Sequence, residues 1–296
     1  MALWQIDRFI SLWITRPLRR LFPRRARRIP ILMYHSISDA AGFVTHPYYR
    51  TATSPRVFAK QMALLYQAGY RTTTLSAAVE QLRQGKGKPR KTVVLTFDDG
   101  FEDFYTTAYP VLNQYGFSAS VFLPTAFVAD APLTFQGMGR LTWPQVRELS
   151  TVGISFGSHT ETHAHLAAIS PDRMTQEIFR SKQTIEARLG VQADSFAYPY
   201  AFPETLGAFK RRLCRTLADA GYKTGVSTVI GSASASHNPL LLPRLPINSY
   251  DDSELFCAKL EGAYDWLHWP QYLSKYVGAR RADKDLVARD AEVVAD

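Results

Sequence analysis

Two kinds of apolar run alternate along the chain. Continuous ones, Ile31–Tyr34 (ILMY) and Thr92–Phe97 (TVVLTF), read as strands buried on both faces. Elsewhere one spacing recurs: a leucine, a glycine four residues later, then a β-former. It is met at Leu65, Gly69 and Tyr70, at Leu112, Gly116 and Phe117, at Leu149, Gly153 and Ile154, and at Leu217, Gly221 and Tyr222. The leucine closes the apolar face of a helix, the glycine turns left-handed just past its end, and extended chain follows. Strands are therefore predicted over 71–75, 118–123, 155–157 and 223–229. A helix feeding a strand, again and again, means βα units around a parallel sheet, so an α/β barrel or a strongly curved sheet is expected. The units are not close sequence repeats.

A chain of 296 residues with 46% hydrophobic composition can bury one large core. Charge changes the picture at one end only. Of the formal net +9, residues 1–28 hold +7, eight arginines against Asp7, so everything after them is nearly neutral. Without a basic face on the body, nucleic acid is not an expected partner. The same segment opens with Leu3, Trp4, Ile6, Phe9, Ile10, Leu12, Trp13 and Ile14, interrupted by Asp7 and Arg8. It is too short and charged to span a bilayer, and its charge follows the apolar run, the reverse of an export signal. Two readings stand: an amphipathic helix resting on an anionic membrane face, or a helix packed on the body with its arginines as a solvated linker. Cys214 and Cys257 have no paired or metal-type spacing, which excludes a disulfide framework and a cysteine metal site.

In parallel α/β folds chemistry gathers beyond the carboxyl ends of the strands. There the sequence places His35 after ILMY, Asp98 and Asp99 after VVLTF, His159 after ISFGS, and Tyr200 after SFAYP. Adjacent carboxylates cannot point one way in a regular strand, so one can hold a metal while the other faces a substrate. Asp-Asp-Gly alone is also a common turn. His159 and His163 are four apart, which brings both imidazoles to one side if the segment is a helical turn. With one carboxylate they form a three-ligand divalent site with positions left for water and substrate. His46 and His165 read as surface or core histidines.

TFDDG, SHTETHAHL and FAYPY, in this order, resemble the polysaccharide deacetylases, carbohydrate esterases of the NodB homology type, over roughly Ile29 to Tyr250. The resemblance implies a distorted (β/α) barrel with fewer than eight strands, acting on N-acetyl groups of glycans. It implies that Asp99, His159 and His163 hold a divalent ion, zinc by expectation, that Asp98 is the base, and that the Tyr200 amide helps form an oxyanion hole. Many relatives take their acid from a late Leu-x-His motif, but LLPRLPINSY has no histidine. LMYHSI resembles the exopolysaccharide deacetylases in which an N-terminal histidine takes that place, so His35 is the expected acid, a buried structural histidine being the other reading. Ala197 stands where many relatives have arginine, and Ala201 where a glycine often follows. Arg244, in LPRLP, either supplies the missing charge beside Asp98 or is solvated on a loop.

The expected organisation is a basic N-terminal segment over 1–28, the catalytic domain over 29–250, a helical aromatic extension over 251–279, and a mobile tail over 280–296. In the extension Tyr264, Trp266, His268, Trp269 and Tyr272 are expected to cover the barrel, and Trp143 to pack in the core. The leading function is N-deacetylation of N-acetylhexosamine units in a surface polysaccharide or its lipid-linked precursor, at a cytoplasmic, membrane-associated step. The alternatives are a metal amidohydrolase of small N-acyl or ring-amide compounds and a glycan-binding module. Retention of every metal ligand argues against the last.

Overall fold

A computed structural model describes residues 3–22, 27–39, 51–85, 91–135 and 137–274. Seven parallel strands form its centre: β1 (Ile31–Tyr34), β2 (Thr92–Phe97), β3 (Ala119–Leu123), β4 (Ile154–Ser158), β5 (Ser195–Ala197), β6 (Thr224–Ile230) and β7 (Leu242–Pro246). They pair in chain order, and β7 returns to β1 through Leu245 opposite Leu32, so the sheet closes into a barrel. Helices cover its outside: α1 (Leu3–Phe9, Ile10–Thr15 and Arg16–Leu21 in succession), α2 (Pro55–Gln67), α3 (Leu75–Gln84), α4 (Phe104–Ala108 and Tyr109–Gln114), α5 (Trp143–Ser150), α6 (Pro171–Leu189), α7 (Gly207–Asp219) and α8 (Ser253–Leu260). The segments Ile10–Thr15 and Phe104–Ala108 are π-type.

The strands alternate, as a pleated sheet requires, between two buried sets. Leu32, Leu95, Val121 and Leu245 pack outward in one cluster with Phe58, Met62, Leu112 and Trp143 of the helices. Ile31, Val94, Phe122, Val226 and Leu242 form a second cluster inside the barrel, which Leu75, Val79 and Leu82 of α3 complete at the end where the strands begin. Along the inward positions of β2, apolar Val94 gives way to Thr96 and then Asp98. The barrel is thus filled with hydrocarbon below and polar groups above.

Gly69, Gly116, Gly153 and Gly221 are all left-handed and each follows a helix, as the leucine–glycine spacing predicts. The strand predicted over 71–75 stops after Arg71–Thr72, which pairs on the outside of β2. The Thr74 hydroxyl accepts from the Ala77 amide and caps α3, which wins the following residues for a helix. β7 escapes a sequence reading because Pro243 and Pro246 argue against an inner strand. Arg244 lies fully buried inside it, so the solvated-loop reading of that residue is incorrect.

The N-terminal helix lies on α8 and the residues after it. Asp7 accepts from the Tyr264 hydroxyl, Ser11 from the Trp266 indole, and Thr15 donates to the Ala263 carbonyl. Arg8 pairs with Asp252, Arg16 with Glu261 and Arg19 with Asp265. These arginines are ion-paired on the body, so the reading of them as a solvated linker is corrected. Arg24, Arg25, His46 and the tail over 280–296 lie outside the described residues. Among the described residues no helix is long and apolar enough to cross a membrane.

Candidate active site

Backbone geometry at the strand ends aims the site residues. The Asp98 amide still donates to the Tyr34 carbonyl of β1, which keeps its side chain on the inward side of β2. Asp99 and Gly100 then both turn left-handed (φ 71° and 61°), which swings the second carboxylate away from the first. Gly100 is required twice over, since a Cβ there would sit 2.7 Å from Leu123 Cδ2. Thr160, His163 and Tyr200 are the other non-glycine residues at positive φ, so among the described residues all four such conformations gather at this end of the barrel. Backbone held in sparsely populated regions concentrates where a site fixes it.

His163 is not reached by a helical turn, contrary to expectation: residues 159–165 form an irregular loop. Side chains accept from three of its amides instead. Ser158 accepts from Thr160, the Thr160 hydroxyl from Ala164, and Glu177 of α6 from both the amide (2.8 Å) and the hydroxyl (2.7 Å) of Thr162. Glu177 is fully buried and bonded also to Arg173. The loop brings His163 Nε2 to 3.1 Å and His159 Nε2 to 3.5 Å from Asp99 Oδ1.

These three residues fit a divalent ion. Their donor atoms all lie within 4.8 Å of one another. Tetrahedral ligands with bonds of 2.0–2.1 Å stand about 3.3 Å apart, and the two histidine nitrogens stand 3.1 and 3.5 Å from Asp99 Oδ1. The Nδ1–H of His159 donates to the Ala197 carbonyl at 2.8 Å, which leaves Nε2 as a lone-pair donor facing Asp99. Burial pushes His159 down to about 4, against the pull of Asp98, so the imidazole is neutral as a ligand must be. Burial works to raise the Asp99 carboxyl, yet the imidazoles of His163, His35 and His159 hold it well below the usual carboxylate range.

Asp98 sits beside this trio in a different setting. Arg244, on the far side of β1, grips it with two parallel bonds of 2.7 Å, Nη1 to Oδ1 and Nη2 to Oδ2. The guanidinium is itself placed by Nε donating to the Ser227 carbonyl at 3.0 Å and by Nη1 at 3.2 Å from the Thr96 hydroxyl. That carbonyl is free to accept because β6 bulges between Val226 and Ile230. Burial alone would raise Asp98; Arg244, with His159 and His35, holds it below the carboxylate range instead. His35 Nε2 is 3.9 Å from Asp98 Oδ2 and partly open to solvent. The exposed Tyr200 ring packs on His163 (4.6 Å) and on His165 (5.6 Å), which places His165 at the mouth of the site.

Every site residue expected from the sequence, His35, Asp98, Asp99, His159, His163, Tyr200 and Arg244, is thus found at this end of the barrel. Thr96, Ser227, Glu177 and Arg140, whose Nη1 donates to the Asp99 carbonyl, are further members. They carry no local signal, being single polar residues from distant segments.

Known proteins with this arrangement decide the family. The polysaccharide deacetylase model matches residues 85–225. YxkH of Bacillus subtilis (strain 168), whose name assigns it to the same group, is 30% identical over 234 residues, 79% of this chain and 76% of that one. The chain belongs to the polysaccharide deacetylase family. It is a hydrolase of carbon–nitrogen bonds, as carbohydrate N-deacetylases are. The poly-β-1,6-N-acetyl-D-glucosamine N-deacetylase of Staphylococcus aureus (strain MSSA476) is 23% identical over 235 residues, 73% of this chain and 78% of its own. The deacetylase PplD of Streptococcus pyogenes, solved in complex with acetate, superposes with TM-score 0.66 at 30% identity, over 79% of this chain and 99% of PplD. In this member of the family the cation beside Asp98 arrives from β7, and the Ala197 carbonyl holds His159.

Proposed function

We propose that this deacetylase removes acetyl groups from N-acetylhexosamine units of a surface polysaccharide or its lipid-linked precursor, in a reaction that needs a divalent ion. The observation that carries this reading is Asp98, a buried carboxylate held by Arg244, 3.9 Å from His35 and beside a ready-made His–His–Asp donor set. Asp99, His159 and His163 would hold the ion, zinc by the nitrogen and oxygen character of the donors, and it would acidify a water and polarise the acetyl carbonyl. Asp98 is a weak base by virtue of Arg244. Its task is therefore to orient the water and take a proton from it as the water adds to the acetyl carbon. The developing oxyanion is met by the Tyr200 amide, whose left-handed conformation sets its direction. His35, partly open to solvent, is placed to deliver a proton to the departing amine, which leaves as the free amino sugar. Support for the substrate class comes from the S. aureus relative, whose name gives poly-β-1,6-N-acetyl-D-glucosamine as its substrate.

The test is acetate release from N-acetylglucosamine oligomers and from a lipid-linked N-acetylhexosamine, with protein stripped by chelator and then reloaded. Release is expected only after reloading. Asp98→Asn should lower turnover by about 10²–10⁴ with the bound metal retained. His35→Ala should reduce turnover while leaving the acetylated substrate bound. Undiminished release by Asp98→Asn would overturn the reading.

A further inference from the structure

The N-terminal helix α1 is amphipathic the wrong way round for a helix packed on a soluble body. A surface helix normally buries its apolar stripe and gives its polar face to water. Here the face turned to the body is polar: Asp7, Ser11, Thr15 and Arg19, at steps of four, bond to Tyr264, Trp266, the Ala263 carbonyl and Asp265. The outward face is apolar. Phe9, Trp13, Leu18 and Phe22 are 54%, 71%, 49% and 74% exposed, with Ile6 and Leu21 beside them.

Those four residues are spaced by four, five and four. The step of five begins in Ile10–Thr15, the π-type segment, whose hydrogen bonds run from i to i+5. The wider turn holds Leu18 and Phe22 in line with Phe9 and Trp13, so the stripe stays on one side over about four turns of chain. Apolar residues scattered singly on a surface are ordinary, but a continuous row of aromatic and aliphatic groups marks an interaction face.

We propose that this face docks on an anionic lipid surface. Charge selects lipid over a second copy. Arg20, paired with Glu261 at 3.3 Å yet with a side chain 65% exposed, stands on the helix, and residues 1–28 carry a formal +7 in the sequence. Two copies meeting through the stripe would oppose segments of the same positive sign, whereas phosphate headgroups attract such a segment. A tryptophan and phenylalanines on one side with arginines along the edge is the composition of helices that lie in the interface plane. The helix runs from the level of the active-site mouth, where Arg8 meets Asp252, to the opposite end of the barrel, where Arg19 and Arg28 meet Asp265. A bilayer on this face lies along the barrel's flank and leaves the mouth open at its side.

The measurement is co-sedimentation with vesicles of phosphatidylcholine alone and with about 30 mol % phosphatidylglycerol, using the full chain, Trp13→Ser/Phe22→Ser and Arg20→Gln. The wild type should partition to the mixed vesicles, more weakly as salt rises. The double variant should lose at least about tenfold of that partition, and Arg20→Gln a few fold, with deacetylation of soluble oligomers unchanged. Absence of partition to either vesicle, or partition indifferent to the double variant, overturns the proposal. So does a solution dimer that Trp13→Ser/Phe22→Ser dissolves without any vesicle binding. None of these outcomes depends on the reaction catalysed.

Discussion

Asp98 keeps its charge inside a barrel because a single guanidinium meets both its oxygens. A buried carboxylate without a partner would take up a proton, and breaking such a pair from one side costs about 3–5 kcal/mol. Arg244→Met should therefore destabilise the fold by that amount at pH 7. The sign of the pH dependence follows. Asp98 is depressed in the wild type, so its contribution is complete above the ordinary carboxylate value of ~3.9 and is lost as the pH falls through the folded value. Without Arg244 the largest opposing influence on burial is gone, so the carboxyl rises and protonation relieves the variant as the pH drops. Denaturant unfolding from pH 7 to pH 4 should show the difference shrinking, and a constant gap would mean that Arg244 acts by packing alone. His159 behaves oppositely to a surface histidine: pushed down to about 4, it withdraws stability as the pH falls below the ordinary histidine value of ~6.5. Of these residues the aspartates and histidines were legible because they adjoin strand ends in short motifs. Arg244 was legible only as a candidate, because nothing local says that a residue between two prolines is inside a barrel.

At the scale of elements, the loop that carries His159 and His163 depends on a helix it does not belong to. The amides of Thr160, Thr162 and Ala164 bond to side chains, and α6 supplies Glu177, which accepts from the amide and the hydroxyl of Thr162. Outer-shell partners of this kind commonly change metal affinity by about 10–100-fold. Glu177→Gln keeps the shape and loses the charge and one acceptor. It should weaken metal binding within that range in a competition titration, while Arg173→Gln, on the exposed side of the same carboxylate, should weaken it less. Equal affinity in Glu177→Gln and wild type would show that the loop holds itself. The leucine–glycine spacing does not mark the end of α6, and its inward glutamate looks like any polar residue in the sequence. The spacing of His159 and His163 suggested a helical turn for the same reason: the left-handed residues that replace the turn, Thr160 and His163, are not types that announce φ above zero.

The whole molecule is tied together at one buried acid. Asp265 accepts from the Ser232 amide and hydroxyl, 2.9 and 2.8 Å, and pairs with Arg19 and Arg28. It thereby links α1, the short strand Arg28–Ile29 ahead of β1, the chain leaving β6, and the segment after α8. Asp265→Ala leaves two arginines without it and should cost about 3–5 kcal/mol, read as a lowered melting temperature, with turnover at low temperature little changed. Nothing in the sequence joins these four segments, which is why the chain's two ends read as separate appendages. The order of the barrel strands carries a consequence for the protein as it is made. Asp98 leaves the ribosome on β2, and the arginine that keeps it ionised lies 146 positions later, on the strand that completes the ring. A growing or truncated chain can present every histidine and aspartate of the centre and still leave Asp98 without its partner, so in the proposed reaction hydrolysis waits until the last strand has closed the circle.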